Sequence, residues 1–430
     1  MIRSVYRQTV LAVSPWVNDR TATAFPFSES IATPRAKAVS HPDDERTPMV
    51  EANQDLHEVI RPLDERIVEV RARVLHESAE GGSPAPVTER SALIAAMSAA
   101  ALAAANADTA QVPVALGKTR VDGAATAAAE AVFRRSALQI RVTAGEGERD
   151  GSPGASSGQT LGRQAGGDGV LDGVFDYVDG TTLAVLGEPG ALALGGLGSG
   201  LRPVPDLSAY AVLAPHLILP ELDVLTTPEA HALPILRRIA DAAGKPLDTL
   251  TVFTHSIAEK PLHRTLVDLM RPAVGRVIVP SLVTIEPPYL LSLAGLAEPR
   301  IDAMIGSIGL SELAFAALLL DLVAPEHGFV FRVASVAGPR RHPASVTLDP
   351  LFAFTTEEEQ QFAAYGWGTD RQYTSADLVP AGSARLAAIF AVTDEPMLGL
   401  TGASQASGGR TQGLLLEPGG QVTRIDIRYR

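Results

Sequence analysis

The densest run of potential chemistry in this sequence is LDGVFDYVDGTT, at 171–182. Its apolar approach reads as a strand that delivers Asp176, with Asp179 three residues later at the strand end, so that two carboxylates can converge on one pocket. Gly180 permits a sharp turn, and Thr181 and Thr182 can cap a helix that follows. A helix start beside two acids offers free N–H groups and a dipole that favours phosphate. Oxygen ligands of this kind suit hard divalent cations such as Mg²⁺ or Mn²⁺. Taken alone, the same residues describe an ordinary Asp-Gly surface turn, so the reading depends on the company they keep.

Three further motifs supply that company. In TAGEGERDGSP, at 143–153, Glu146, Glu148 and Asp150 alternate after a β-like stretch and project to one side if the chain stays extended. Like charges so placed repel unless a cation neutralises them. In LGKTRVDGAATAAAEAVFRR, at 116–135, Lys118 and Asp122 precede an Ala-rich helix. In IGSIGLSEL, at 305–313, Glu312 opens a strongly apolar helix after a glycine-bearing turn, where a carboxylate can also serve simply as a cap.

The elements that must position these residues can be read in outline. Residues 1–85 form an N-terminal extension: five prolines interrupt 1–50, which is expected to be disordered, and apolar spacing over 53–78 predicts an amphipathic helix. EGGSPAP at 80–86 is a linker, and a helix follows from about Val87 to Ala105. The expected division is a metal-binding half at 86–215 and a substrate-binding half at 216–430. In the latter, β-like runs (TVFTH, RVIVP, AMIGSI) alternate with helical ones (LPILRRIADAAG, HRTLVDLM, ELAFAALLLDLV). That alternation predicts an α/β layer architecture. The Gly/Ser-rich stretch 151–169 reads as a mobile loop, and GLLLEPGGQVTRIDI as a C-terminal hairpin turning at Gly419 and Gly420.

Composition narrows the function. The chain has no cysteine, which excludes disulfides, zinc–thiolate sites and thiol catalysis. Its net charge of −13 argues against nucleic acid and anionic membranes as partners. No stretch is long and apolar enough to span a bilayer, so a cytoplasmic protein is expected. Basic residues are overwhelmingly Arg; Lys37, Lys118, Lys245 and Lys260 are the lysines.

From Ser91 onward the sequence resembles the class II fructose-1,6-bisphosphatases, relatives of the lithium-sensitive inositol-phosphatase-like enzymes. The resemblance rests on the order of the motifs: Lys118 and Asp122 in GKTRVDGAA, then GEGERD at 145–150, DYVDGT at 176–181 and GSIGLSE at 306–312, with GKPLDTLTV at 244–252 and the TRI-bearing C-terminal strand. It implies a layered α/β/α/β/α sandwich and metal-dependent hydrolysis of a sugar phosphate, fructose 1,6-bisphosphate foremost, by a homo-oligomer. Asp122, Glu146, Asp176, Asp179 and Glu312 would then be ligands of Mg²⁺ or Mn²⁺, two or more ions per site. Thr181 would position the attacking water or the scissile phosphate, with Lys118 and Asp150 close by. Asp179, Gly180, Thr181, Tyr210, Lys260 and Gly309 fall on substrate positions. The departures concern the substrate: the family's K-P-R-H is Lys260-Pro261-Leu262-His263 here, and its P-D-G-D is Pro280-Ser281-Leu282-Val283. A phosphate-pairing arginine and two sugar-binding acids are thus missing. The implied alternatives are a paralogue acting on a different sugar phosphate in a specialised biosynthetic pathway, or a non-catalytic binding protein on the same fold.

Overall fold

The computed structural model describes residues 56–61, 73–74, 88–145, 155–162, 170–404 and 409–429. The first six strands belong to one sheet: β1 (Leu56–Arg61), β2 (Arg73–Val74), β3 (Gln139–Gly145), β4 (Thr160–Gly162), β5 (Leu171–Asp179) and β6 (Leu192–Gly198). The next six form a second sheet: β7 (Ser208–Pro215), β8 (Thr251–Phe253), β9 (Arg276–Ile278), β10 (Ala303–Gly309), β11 (His327–Ala334) and β12 (Tyr373–Thr374). The chain then returns to the first sheet with β13 (Ala384–Ala391), β14 (Arg410–Glu417) and β15 (Gln421–Arg428). Strand orders are β2-β1-β15-β14-β13-β6-β5-β3-β4 and β12-β11-β7-β10-β8-β9. Both sheets mix parallel and antiparallel pairs.

Helices fill the layers around the sheets. On the outer face of the first sheet lie α1 (Glu89–Ala105) and α2 (Val114–Arg135), and α3 (Thr181–Leu186) packs on α2. The second sheet is covered by α4 (Pro228–Ala243), against which α5 (His263–Met270) packs. Between α5 and the next long helix runs α6 (Pro287–Leu293). That helix, α7 (Leu310–Val323), touches β3, β5, β6, β13 and β14 of one sheet and β7, β10 and β11 of the other. Its sequence, LSELAFAALLLDLV, is apolar on every side, as a helix wedged between two sheets requires. Short helices α8 (Ala337–Arg341), α9 (Thr356–Ala364) and α10 (Ser375–Leu378) complete the chain. The order α1/α2, sheet, α7, sheet, α4/α5 is the expected α/β/α/β/α sandwich.

Burial explains the strand sequences. Every residue of β5 and β6 is buried, because helices cover both faces, so these strands read as apolar runs without alternation. The hairpin of β14 and β15 turns at Gly419 and Gly420, both with positive φ.

Several expectations need correction. The division at 215/216 does not follow the sheets: β7 is in the second sheet, β13–β15 are in the first, and 52–430 form one compact unit. The helix expected over 53–78 is replaced, where described, by β1 and β2. β1 pairs antiparallel with β15 from His57↔Arg428 to Arg61↔Arg424. An edge strand such as β15 offers a row of unpaired N–H and C=O groups, and that ladder outweighs a helical apolar spacing. Within the stretch read as a loop at 151–169, Thr160–Gly162 forms β4 on the edge of β3. Residues 1–55 lie outside the described residues, as do 146–154.

Candidate active site

Asp176 and Asp179 occupy the C-terminal end of β5, and both are buried. Pairing with β6 slips between them, and Gly180, in the left-handed region at φ 80°, ends the strand and starts α3. Thr181 is therefore the first residue of α3 and does not cap it. α3 is only six residues long, too short for a full macrodipole, which weakens the expected helix-end phosphate cradle.

Lys118 and Asp122 do not precede their helix but lie inside α2, four residues apart and hence on one face. From there Asp122 Oδ1 accepts a 2.8 Å hydrogen bond from Thr181 Oγ1, and the Val178 carbonyl, 3.1 Å away, is the alternative acceptor for the same proton. Glu312 rises from the first turn of α7, where its Oε2 accepts from Ser311 Oγ at 2.6 Å. A Cβ on Gly309 would stand 1.9 Å from Glu312 Oε2, so the carboxylate folds back over a position that only glycine can occupy without displacing it.

The electrostatics tie these acids together. Burial, followed by the charges of Asp179, Glu312 and Asp122, holds the Asp176 carboxyl well above the usual carboxylate range. Asp176 Oδ1 accepts from the Val178 N–H at 3.0 Å, while Oδ2 is buried with no hydrogen-bond partner among the described residues. A buried acceptor left unsatisfied costs about 1–3 kcal/mol, and a cation would remove both that cost and the mutual repulsion. Among the described residues no three His, Asp or Glu side chains stand ready-made around a single ion position. Two of the acids are instead engaged with hydroxyl groups. The donor set is nonetheless all oxygen, the type hard divalent ions take, so the residues present fit such an ion in chemistry. Glu146 and Asp150 lie outside the described residues.

Asp179, Gly180, Thr181, Gly309 and Glu312 line one wall of a cleft of about 590 Å³. Lys118 and Lys260 supply positive charge to it, and Arg340 of α8 lies on its rim. Tyr210 does not reach the cleft. It is fully buried in β7, its ring packs on His231 and Phe352, and its hydroxyl meets His231 Nε2 at 3.1 Å. The second hydrophobic core claims it, and Ser208 of the same strand lines the cleft instead. Leu262 also packs in that core and is only 3% exposed, yet it lines the cleft as well, beside Lys260 and His263. Residues the motifs did not announce include His255, Glu259 and Glu286, which line the cleft floor. Glu286, a lone acid in the apolar run TIEPPYLLSL, is pushed up to about 8 by burial and then by Glu312.

Fold and cleft together define an α/β sandwich of the phosphatase type. The family described as bacterial fructose-1,6-bisphosphatase, glpX-encoded, matches residues 89–428, and the chain belongs to it. Fructose-1,6-bisphosphatase 2 class 2 of Escherichia coli (strain K12) is 32% identical over 143 residues, covering 32% of this chain and 41% of the relative. The D-fructose 1,6-bisphosphatase class 2/sedoheptulose 1,7-bisphosphatase of Prochlorococcus marinus (strain NATL1A) is 28% identical over 166 residues, 37% of this chain and 47% of the relative. Fructose-1,6-bisphosphatase 1 class 2 of Escherichia coli (strain K12) is 30% identical over 156 residues, 36% and 44%. The chain thus spans less than half the length of each of these relatives.

Proposed function

We propose that this protein is a metal-dependent sugar-phosphate phosphatase, with fructose 1,6-bisphosphate as its first candidate substrate. The observation that carries the proposal is Asp176, buried with one oxygen that has no partner among the described residues and pressed by three other carboxylates, two of which, Asp179 and Glu312, line a cleft that also holds lysines. Asp122, Asp176, Asp179 and Glu312, joined by Glu146, would hold two or more Mg²⁺ or Mn²⁺ ions. Bound there, the cations would activate water and stabilise the leaving oxygen of an in-line displacement.

The chain's own residues divide the remaining work. Thr181 Oγ1 directs its proton at Asp122, leaving its lone pairs to accept from and aim a water at the phosphorus. Lys118 sits one helical turn from Asp122 and balances charge on the phosphate. Lys260, on the far side of the cleft, binds the phosphate that is not cleaved, and Gly309 lets the substrate approach the start of α7. Asp150 remains a candidate proton carrier. A homo-oligomer in the cytoplasm is the corresponding state. Separately, no helix among the described residues is long and apolar enough to cross a membrane.

A second reading, a paralogue for a different sugar phosphate, is supported by Leu262. The position that carries a phosphate-pairing arginine in the resembling family is here packed into a core. Turnover of a panel of sugar mono- and bisphosphates with Mg²⁺ or Mn²⁺, and its loss in EDTA, tests both readings. Full activity in metal-stripped protein would sink the mechanism. Hydrolysis confined to substrates other than fructose 1,6-bisphosphate would select the paralogue. Metal-induced thermal stabilisation without turnover of any member would leave a binding protein.

A further inference from the structure

The floor of the cleft holds two imidazoles to which the proposed chemistry gives no role. His255 follows β8 and is 1% exposed; His263 opens α5 and is fully buried. Their ring centroids are 5.5 Å apart. The backbone at Thr254 is pinned between neighbouring strands, its N–H donating to Ile278 O and its Oγ1 to Ile305 O. Gly306 makes room for both rings, since a Cβ there would lie 2.8 Å from His255 Cδ2 and 3.0 Å from His263 Nε2. The pair is built into the fold.

We propose that His255 is the positioning residue for Lys260: a neutral imidazole whose Nδ1 accepts from the ammonium, so that Lys260 is presented to the cleft and kept out of an ion pair with Glu286. This rests on the reading above, in which Lys260 faces the substrate. Lys260 Nζ lies 3.3 Å from His255 Nδ1 and 2.6 Å from the Ser307 carbonyl oxygen. The Ser307 peptide is itself held from its other end, its N–H donating to His263 Nε2 at 2.9 Å. Glu286 Oε1 approaches the same His255 Nδ1 to 3.8 Å, so ammonium and carboxyl meet a common imidazole atom. With that ring removed, Lys260 loses the acceptor that stands between its ammonium and the Glu286 carboxyl, and the two can pair.

The arrangement fixes opposite tautomers on adjacent rings. His255 accepts at Nδ1 and so carries its proton on Nε2; His263 accepts at Nε2 and carries its proton on Nδ1. Burial, and then the Lys260 charge and His263, hold His255 well below the usual imidazole range, which keeps it an acceptor. Burial likewise brings His263 down to about 3.

The test joins a spectroscopic readout to kinetics on the full chain. In protein labelled with ¹⁵N-histidine, His255, assigned by its loss in His255→Asn, should appear as the neutral Nε2–H tautomer and shift in Lys260→Met. His263 should appear as Nδ1–H. A cationic His255, or its Nδ1–H tautomer, overturns the proposal. With fructose 1,6-bisphosphate and Mg²⁺, His255→Ala should raise KM roughly tenfold, the scale of one hydrogen bond to a charged group, and lower kcat far less. His255→Asn, whose Oδ1 replaces Nδ1 as acceptor, should recover most of that loss. A KM in His255→Ala within about twofold of wild type, or a folded His255→Asn no better than Ala, overturns it too. Absence of wild-type turnover would instead remove the functional reading, while the tautomers still decide the role of His255.

Discussion

Replacing Gly309 with alanine separates fold from chemistry at one atom. The backbone there, φ −66° and ψ 150°, is ordinary for any residue, so Gly309→Ala introduces no backbone strain. Reduced freedom in the unfolded chain should even contribute about 0.4–1 kcal/mol of stability. The added methyl carbon, however, would lie 1.9 Å from Glu312 Oε2, 2.5 Å from Cδ and 2.6 Å from Oε1. The carboxylate must retreat by about 1.5 Å to regain ordinary contact. As the end of a flexible side chain it can do so at little cost to the fold. A metal ligand cannot: coordination distances tolerate about 0.2 Å, and a misplacement of about 1 Å can cost a hundredfold in rate. Gly309→Ala should therefore melt within about 4 °C of wild type, lose roughly a hundredfold in turnover, and require more Mg²⁺ or Mn²⁺ for half-maximal rate. The assay is phosphate release against metal concentration, paired with thermal melts and with Glu312→Gln as the reference for full loss. Wild-type turnover at the wild-type metal midpoint, in either variant, would show that Glu312 is no ligand.

Two further predictions follow from burial. The Asp176 carboxyl is raised by its surroundings, so ionising it opposes folding; without metal, stability should fall as pH climbs above its unfolded value of 3.8. Asp176→Asn removes that penalty: in EDTA it should melt higher than wild type at pH 7.5, with the gap closing toward pH 4, while turnover with metal drops by orders of magnitude. Equal EDTA melts at neutral pH would refute the electrostatic account of the cluster. Leu262→Arg would restore the arginine of the resembling family, yet the side chain it replaces is 3% exposed in a core cluster. The variant should be destabilised by about 2 kcal/mol or more; undiminished stability with tighter binding of a bisphosphate would mean that the arginine extends from the core into the cleft that Leu262 lines.

What was legible in the sequence was local. β5, the Gly180 turn and Glu312 at the start of α7 are each written within a dozen residues, as an apolar run followed by a punctuating glycine or acid. Lys118 and Asp122 lie inside the helix that their sequence expects to follow them. Gly117, Thr119, Val121 and Gly123 are poor helix formers, and packing of α2 on α1 carries the helix through them. Tyr210 was drawn to the substrate by resemblance but is held by His231 across the second core. His255 and Glu286 leave no signature because 31 positions of chain separate them, and only the packing of β8 and α6 brings them together.

The placement of α7 between both sheets sets the order in which the site comes apart. Its amides are shielded on all sides, so they exchange with solvent only when the whole molecule opens. The first turn of α2 is the opposite case: its N-cap, Pro113, makes no side-chain hydrogen bond, and Val114 and Leu116 are 43% and 45% exposed. Fraying there loosens the turn next to Lys118, while Asp122, a further turn in and hydrogen-bonded to Thr181, stays with Glu312. The cleft therefore loosens at its Lys118 side before any of its acids is released, with the core of the molecule still closed.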